Sequence, residues 1–181
     1  MKHKSVRNTL LSLSLVTVAA VMSGCATPAT YEGMVPGDYD TARKHAKTVS
    51  VQVGGGQTTS SMGKSQISDE AFAKALVEAI TKSRTFSQVV EGKGGNYQLL
   101  VSIISMEQPT FGIDMTVKME AGWTLKNAAT GQVVWQEAIK SQHTATTSDA
   151  FVGTTRLRMA NEGAAKNNIK QGLAKISRLN L

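Results

Sequence analysis

The chain has 181 residues, 41% of them hydrophobic, with 20 Lys and Arg against 13 Asp and Glu, a formal charge of +7 and a pI near 9.6. That length carries one domain with a real core. A single cysteine excludes an intramolecular disulfide framework and any site that needs two thiolates.

Lys2, Lys4 and Arg7 give a cationic start, Leu10 to Met22 is an apolar run of 13 residues, and the small residues Ser23 and Gly24 precede Cys25. That order is a secretory signal, and the run is short of the roughly 20 residues that span a bilayer. Met22-Ser23-Gly24-Cys25 resembles the lipobox of a bacterial lipoprotein precursor. The resemblance implies cleavage between Gly24 and Cys25, and a covalent lipid (diacylglycerol, with palmitate as a typical acyl chain) on the sulfur of Cys25. Lipidation explains a lone cysteine in an exported protein, and two or more acyl chains anchor firmly. Ala26 follows the cysteine where an inner-membrane retention signal would carry aspartate, which implies the periplasmic face of the outer membrane. Cleavage leaves 157 residues, removes three cations and no acid, and lowers the charge to +4. That mild excess, in an exported chain, argues against a nucleic-acid partner; a solvated surface, or contact with anionic lipid or cell-wall polymer, accounts for it.

Beyond the signal (1–24), residues 25–46 hold Pro28, Gly33, Pro36 and Gly37 with no apolar periodicity, and read as a lipidated tether. Extended, about 21 residues reach roughly 70 Å. A single domain then occupies 47–181. Val49, Val51 and Val53 alternate as a strand. A Gly, Ser and Thr loop follows, and Ser68 caps a helix with Phe72, Leu76, Ala79 and Ile80 on one face, ending near Ser83. Val89-Val90 forms a short edge strand. Tyr97 to Met106 reads as a strand buried on both faces. From Ile113 to Leu125 every odd position is apolar and every even one is not, which is a long strand with one wet face. Asn127 to Gly131 turns the chain, and Gln132 to Lys140 returns. Both strands must present odd positions to the same side, so paired numbers sum to an even value. Pairing Lys126 with Gln132 sets Trp123 opposite Trp135 and puts Glu137 at the sheet margin. A polar loop at 141–149 leads to a helix from about Thr154, with Leu157, Ala160, Ala164, Ile169, Leu173 and Ile176 in period. The order β-α-(β)-β-β-β-α implies an α+β fold: a mostly antiparallel sheet of four or five strands with two helices on one face.

Four features could carry chemistry. Gly54-Gly55-Gly56 and Gly63-Lys64-Ser65 lie between a strand and a helix, as a phosphate-binding loop does, but Thr58 stands where the outer glycine belongs. His45, His143, Asp114, Glu137 and Asp149 are the candidate acids and bases. None has a partner at metal-ligand or catalytic spacing, so neither an enzyme, a metal nor a cofactor is expected. The last helix carries Arg156, Arg158, Lys166 and Lys170, a possible surface for anionic lipid or glycan, though a solvated helix face explains them as well. The Met115, Met119 and Trp123 stripe could form a binding groove, with core packing the simpler role.

Tyr97-Gln98-Leu99-Leu100-Val101, Ala121-Gly122-Trp123-Thr124-Leu125 and Thr130-Gly131-Gln132-Val133-Val134-Trp135 resemble small envelope lipoproteins with a TolB-amino-terminal-like fold. These include LpoB-like and CsgG-like accessory proteins and the auxiliary lipoproteins of ABC-type lipid transport. Asn161-Glu162-Gly163-Ala164-Ala165-Lys166-Asn167-Asn168-Ile169 looks like the matching segment of outer-membrane lipoproteins. The Ser/Thr/Gly loop at 54–65 departs from the transport-auxiliary pattern. The resemblance implies a non-enzymatic, lipid-anchored scaffold or accessory domain that binds another envelope protein. A lipid- or glycan-binding module is the alternative, and a cryptic enzyme the second. Only Cys25 carries over as a functional residue.

Overall fold

The computed structural model describes residues 25–181, and the signal segment and its cleavage position at Gly24 lie outside the described residues. A short helix α1 (Tyr31–Met34) precedes β1 (His45–Gly54), α2 (Asp69–Ser83), β2 (Phe86–Val89), β3 (Tyr97–Glu107), β4 (Met115–Asn127), β5 (Val133–Ala145) and α3 (Gly153–Ile176). The strands form one sheet in the order β2-β1-β3-β4-β5. β1 runs parallel to both β2 and β3, and β3, β4 and β5 form an antiparallel meander. The α+β class and the chain order agree with the sequence reading, with α1 added.

Local signals explain the elements. Ser68 caps α2 by accepting from the Ala71 amide at 3.1 Å, Asp69 and Glu70 sit in its first turn, and Arg84 in the left-handed region (φ 55°) ends it. Along β4 the odd residues Met115 to Leu125 are all buried. They form the core with Val49, Leu99, Phe72, Ile80, Leu157, Ile169 and Leu173.

Four strand expectations are corrected. The stretch 141–149, expected as a polar loop, is strand as far as Ala145, because β5 pairs with the whole of β4 back to Met115. β3 is buried on one face only, because both helices lie on the same side of the sheet; Ile104, at a bulge opposite β4, is largely exposed. Ile113 stands in the loop before β4 and is exposed. The parity of the β4–β5 register holds along the strands, but the pairing lies two residues from the expected one: Lys126 pairs with Val133 rather than Gln132, and a bulge between Leu125 and Lys126 adds a second residue, so that Trp123 faces Glu137 and Leu125 faces Trp135. Glu137 does lie at the margin: β5 is an edge strand, and its carboxylate meets Lys175 at 2.5 Å.

The helix α3 comes down very close on β4 and β5. A Cβ on Gly172 would lie 2.5 Å from the Trp123 ring, so only glycine lets the indole pass beneath the helix. The Trp123 Nε1–H donates to Asn168 Oδ1 at 2.9 Å, and Asn168 Nδ2 donates to the Ile139 carbonyl at 2.8 Å. Ser141 donates to the Ala164 carbonyl at 2.8 Å. The buried side chains of Trp123, Asn168 and Ser141 are thus all partnered, as burial requires. Asn168→Ala would orphan two of the groups bonded here, at about 1–3 kcal/mol each, so urea unfolding should show a loss of roughly 3 kcal/mol. Gly172→Ala should also destabilise, although alanine gains about 1 kcal/mol in helix propensity.

Candidate functional site

Of residues 25–46, expected as a free tether, 26–44 are instead a strap bound along α3, and His45 and Ala46 already belong to β1. Ala29, Met34 and Val35 are buried, and α1 wedges between α2 and α3 where the two helices diverge. The reason is polar rather than periodic. Glu162, buried on α3, accepts from the Thr30 amide at 2.8 Å and the Thr30 hydroxyl at 3.0 Å on the same oxygen that takes Arg158 Nη1 at 2.7 Å. Gly33 passes so near that a Cβ would sit 2.3 Å from this carboxylate. Further along, Asp38 pairs with Lys170, Asp40 with Arg178 at 3.1 Å, and the Ala42 amide donates to Ser177 Oγ at 3.0 Å. Lys74 of α2 lies 3.6 Å over the Tyr31 ring, a contact that adds cation–π attraction. The strap therefore runs beside α3 from its first turns to its end.

This arrangement changes the basic helix. Arg156 is buried, not a surface cation: its Nη1 donates to the carbonyls of Ala150 (2.9 Å) and Phe151 (2.7 Å), tying down the loop before α3. Arg158 serves Glu162, and Lys170 serves Asp38. Lys166 borders a groove of about 310 Å³ with His143, Asp149 and Glu162. The four cations are not brought together as one open face, because the strap covers a side of α3 that a simple two-layer packing would leave wet.

The candidate acids and bases are scattered. His45 is buried at the start of β1, its Nε2 3.0 Å from the Ile176 carbonyl and its ring against Phe86. His143 lies over Gly163 on the outer part of β5, where a Cβ would meet the imidazole at 2.1 Å. Asp149 is exposed and bound by the Thr146 amide (2.7 Å) and hydroxyl (2.9 Å), which hold its carboxyl below the usual range. Asp114 is exposed in the β3–β4 loop, and Glu137 is held by Lys175. Among the described residues no three His, Cys, Asp or Glu side chains come together as a metal site. The glycine-rich loop offers no phosphate cradle: the Gly56 amide donates to Asp69 Oδ1 at 2.6 Å, and Lys64 Nζ donates to Gln108 O (3.4 Å) and Thr110 Oγ1 (3.3 Å). The Met115, Met119 and Trp123 stripe is buried core beneath α3. The largest cleft, about 720 Å³, is open and polar, with Glu107, Lys118, Glu120 and Lys140 among its lining residues.

Cys25 is exposed, and the residues after it are bonded to the domain: the Ala26 amide donates to the Ser61 carbonyl at 3.3 Å and the Ala29 amide to Gln66 O at 3.0 Å. No described helix is long and apolar enough to cross a membrane.

Comparison with known proteins fits this geometry at the level of fold. A solved Xanthomonas campestris protein of the DUF330 family superposes with a TM-score of 0.59 at 12% identity, over 84% of this chain and 92% of that one. The likeness shows the fold alone. PelC from Paraburkholderia phytofirmans, solved as a dodecamer (TM-score 0.47, 14% identity, 76% and 92% covered), and a putative lipoprotein from Caulobacter crescentus (0.45, 15%, 59% and 77%) are more distant. No protein-family model and no curated protein matches the chain.

Glu162 is the residue that sequence reasoning passed over. The only signal was its isolation as the one acid among the helix's cations. Glu162→Ala should cost about 1–3 kcal/mol and speed proteolysis within residues 26–40. Lys170 holds the Asp38 carboxyl below its ordinary 3.8, by hydrogen bond and charge. Stability from a lowered carboxyl pKa is present above the ordinary value and fades as pH falls through the lowered one. Hydrogen exchange in residues 36–42, corrected for intrinsic rates, should therefore be the same at pH 7 and 5 and rise near pH 3; Lys170→Ala should abolish that rise.

Proposed function

We propose that the protein is a lipid-anchored accessory or scaffold domain on the periplasmic face of the outer membrane, non-enzymatic, that binds another envelope protein. The observation that carries this reading is Cys25: the lone thiol, exposed, directly after a short apolar signal and directly before the first residue packed on the domain. Its thiol carries the lipid, and no cofactor or metal is required. The domain's chemistry supports an adaptor, because its histidines and carboxylates are spent on structure or stand apart, and the wet sheet face offers Gln52, Ser102, Thr116, Lys118, Lys140 and Gln142 for polar contact.

The alternative, a lipid- or glycan-binding module built on Arg156, Arg158, Lys166 and Lys170, is weakened by the internal partners of three of them. Radiolabelled palmitate should enter the wild type and not Cys25→Ala; equal labelling would overturn the anchor. In-cell crosslinking from Gln142 or Lys118 positions should then trap an envelope protein, and recovery of the uncrosslinked chain alone would sink the accessory role.

A further inference from the structure

β1 and β3 run in the same direction, β3 extending five residues past its last pair with β1, Gly54↔Ser102; β4 begins toward that end, and β5 finishes there. The loops 55–68, 108–114 and 146–152 therefore all emerge from one end of the sheet. The first two hold each other, Gln108 Nε2 donating to the Ser65 carbonyl at 2.7 Å, and the third is fastened to α3 by Arg156 through Ala150 and Phe151. From these three loops project Met62 (99% exposed), Phe111 (86%), Ile113 (74%) and Phe151 (92%). Elsewhere among the described residues the large exposed apolar side chains are partial: Ile104, Val133 and Val134. Scattered single apolar residues mean little, but bare aromatic and aliphatic tips gathered on one end mark a contact surface.

The strap supplies the occupant. It starts at this same end, with Ala26 bonded to Ser61, one residue from Met62, and it is seated from Ala29 onward rather than free. A lipid on Cys25 thus leaves almost no slack: one residue spans only about 3.5 Å. We infer that the domain is not held away from the bilayer but docked on it end-on, with Met62, Phe111, Ile113 and Phe151 entering the headgroup–acyl boundary around the Cys25 lipid. The inference rests on the anchor proposed above. Phe is a residue that such interfacial contacts favour, and burial there reaches roughly 5–10 Å. Asp114 and Asp149 flank the tips and outnumber Lys64, whose ammonium is bonded to Gln108 and Thr110, so the contact is apolar and not an attraction to anionic lipid; it is insensitive to salt. Docking in this pose turns the β4–β5 hairpin, at the far end of strands roughly 40 Å long, toward the periplasm.

The test uses the lipidated protein, whose only native thiol is blocked by its anchor. Met62→Cys, Phe111→Cys, Phe151→Cys and, in the opposite hairpin, Ala129→Cys are each spin-labelled in phosphatidylethanolamine–phosphatidylglycerol vesicles. Collision with oxygen, which concentrates in hydrocarbon, is compared with collision with a water-soluble nickel complex. Labels at 62, 111 and 151 should be at least about threefold less accessible to nickel than the label at 129, and richer in oxygen contact, at low and high salt alike. Equal nickel accessibility at all four positions overturns the docking while leaving the anchor intact. Tips shielded from both reagents would mean contact with a second protein chain and would equally overturn it. Failure of palmitate to enter Cys25 defeats the anchor and the docking together.

Discussion

The closeness of α3 to the sheet is the constraint on which the rest of this structure depends. A helix normally stands off a sheet by the thickness of its apolar side chains. Here Gly163 and Gly172 remove that thickness where His143 and Trp123 lie beneath the helix. Close approach buries polar groups as well as apolar ones, and Asn161 and Asn168, seven residues apart, answer for them: Asn168 joins Trp123 to Ile139, and Asn161 joins Gln108 to Ser65. A buried polar group that finds its partners specifies a single seating, since any slippage would leave costly orphans. The helix is thereby fixed in depth and rotation, and everything attached to it is fixed too.

The strap is the main beneficiary. α2 and α3 scarcely touch, and the trough between them would leave the flanks of both wet. α1 fills it, with Met34 fully buried, and Glu162 gathers the Thr30 amide, the Thr30 hydroxyl and Arg158 onto one oxygen. A buried carboxylate with three donors is a strong local attachment, in contrast with the exposed Asp40–Arg178 pair, which contributes little. The consequence reaches beyond stability. A chain that could have spaced the domain well off a membrane instead lies along it, and the exposed thiol of Cys25 is delivered to the end of the sheet from which the apolar loop tips emerge.

The same packing decides what the domain is not equipped to do at its histidines. His45 is a buried structural contact at the lower end of β1 and His143 lies over a helix glycine on the outermost strand, so the two imidazoles never converge. Carboxylates close enough to notice a cation are paired with it. The loop that carries Gly-Lys-Ser spends its amide on Asp69 and its lysine on the neighbouring loop. What remains outward is a polar sheet face, a charged open cleft and a set of apolar tips.

The amino-acid sequence by itself determined the elements whose cause is local. Period-two alternation specified β4, because one face of a strand must be dry; Ser68 with its acidic followers started α2; the apolar period of 157–176 made α3; and the position of the lone Cys25 after a short apolar run is the basis of the proposed anchor. It also determined the parity of the β4–β5 pairing, since a shift by one would turn every apolar side chain to water. The tertiary structure alone decided the remainder. One residue of shift at the turn and one at the Leu125–Lys126 bulge add to two, which preserves parity along the strands and so leaves no trace in the pattern. The strap is held by residues about 130 positions away, through hydrogen bonds rather than periodic apolar contacts, and composition cannot distinguish such a segment from a free linker. Arg156, Arg158 and Lys170 read as surface cations because helical periodicity tells which face is apolar but not what lies against the other faces. The gathering of Met62, Phe111, Ile113 and Phe151 depends on strand direction, and strand direction is settled only when the whole sheet is assembled.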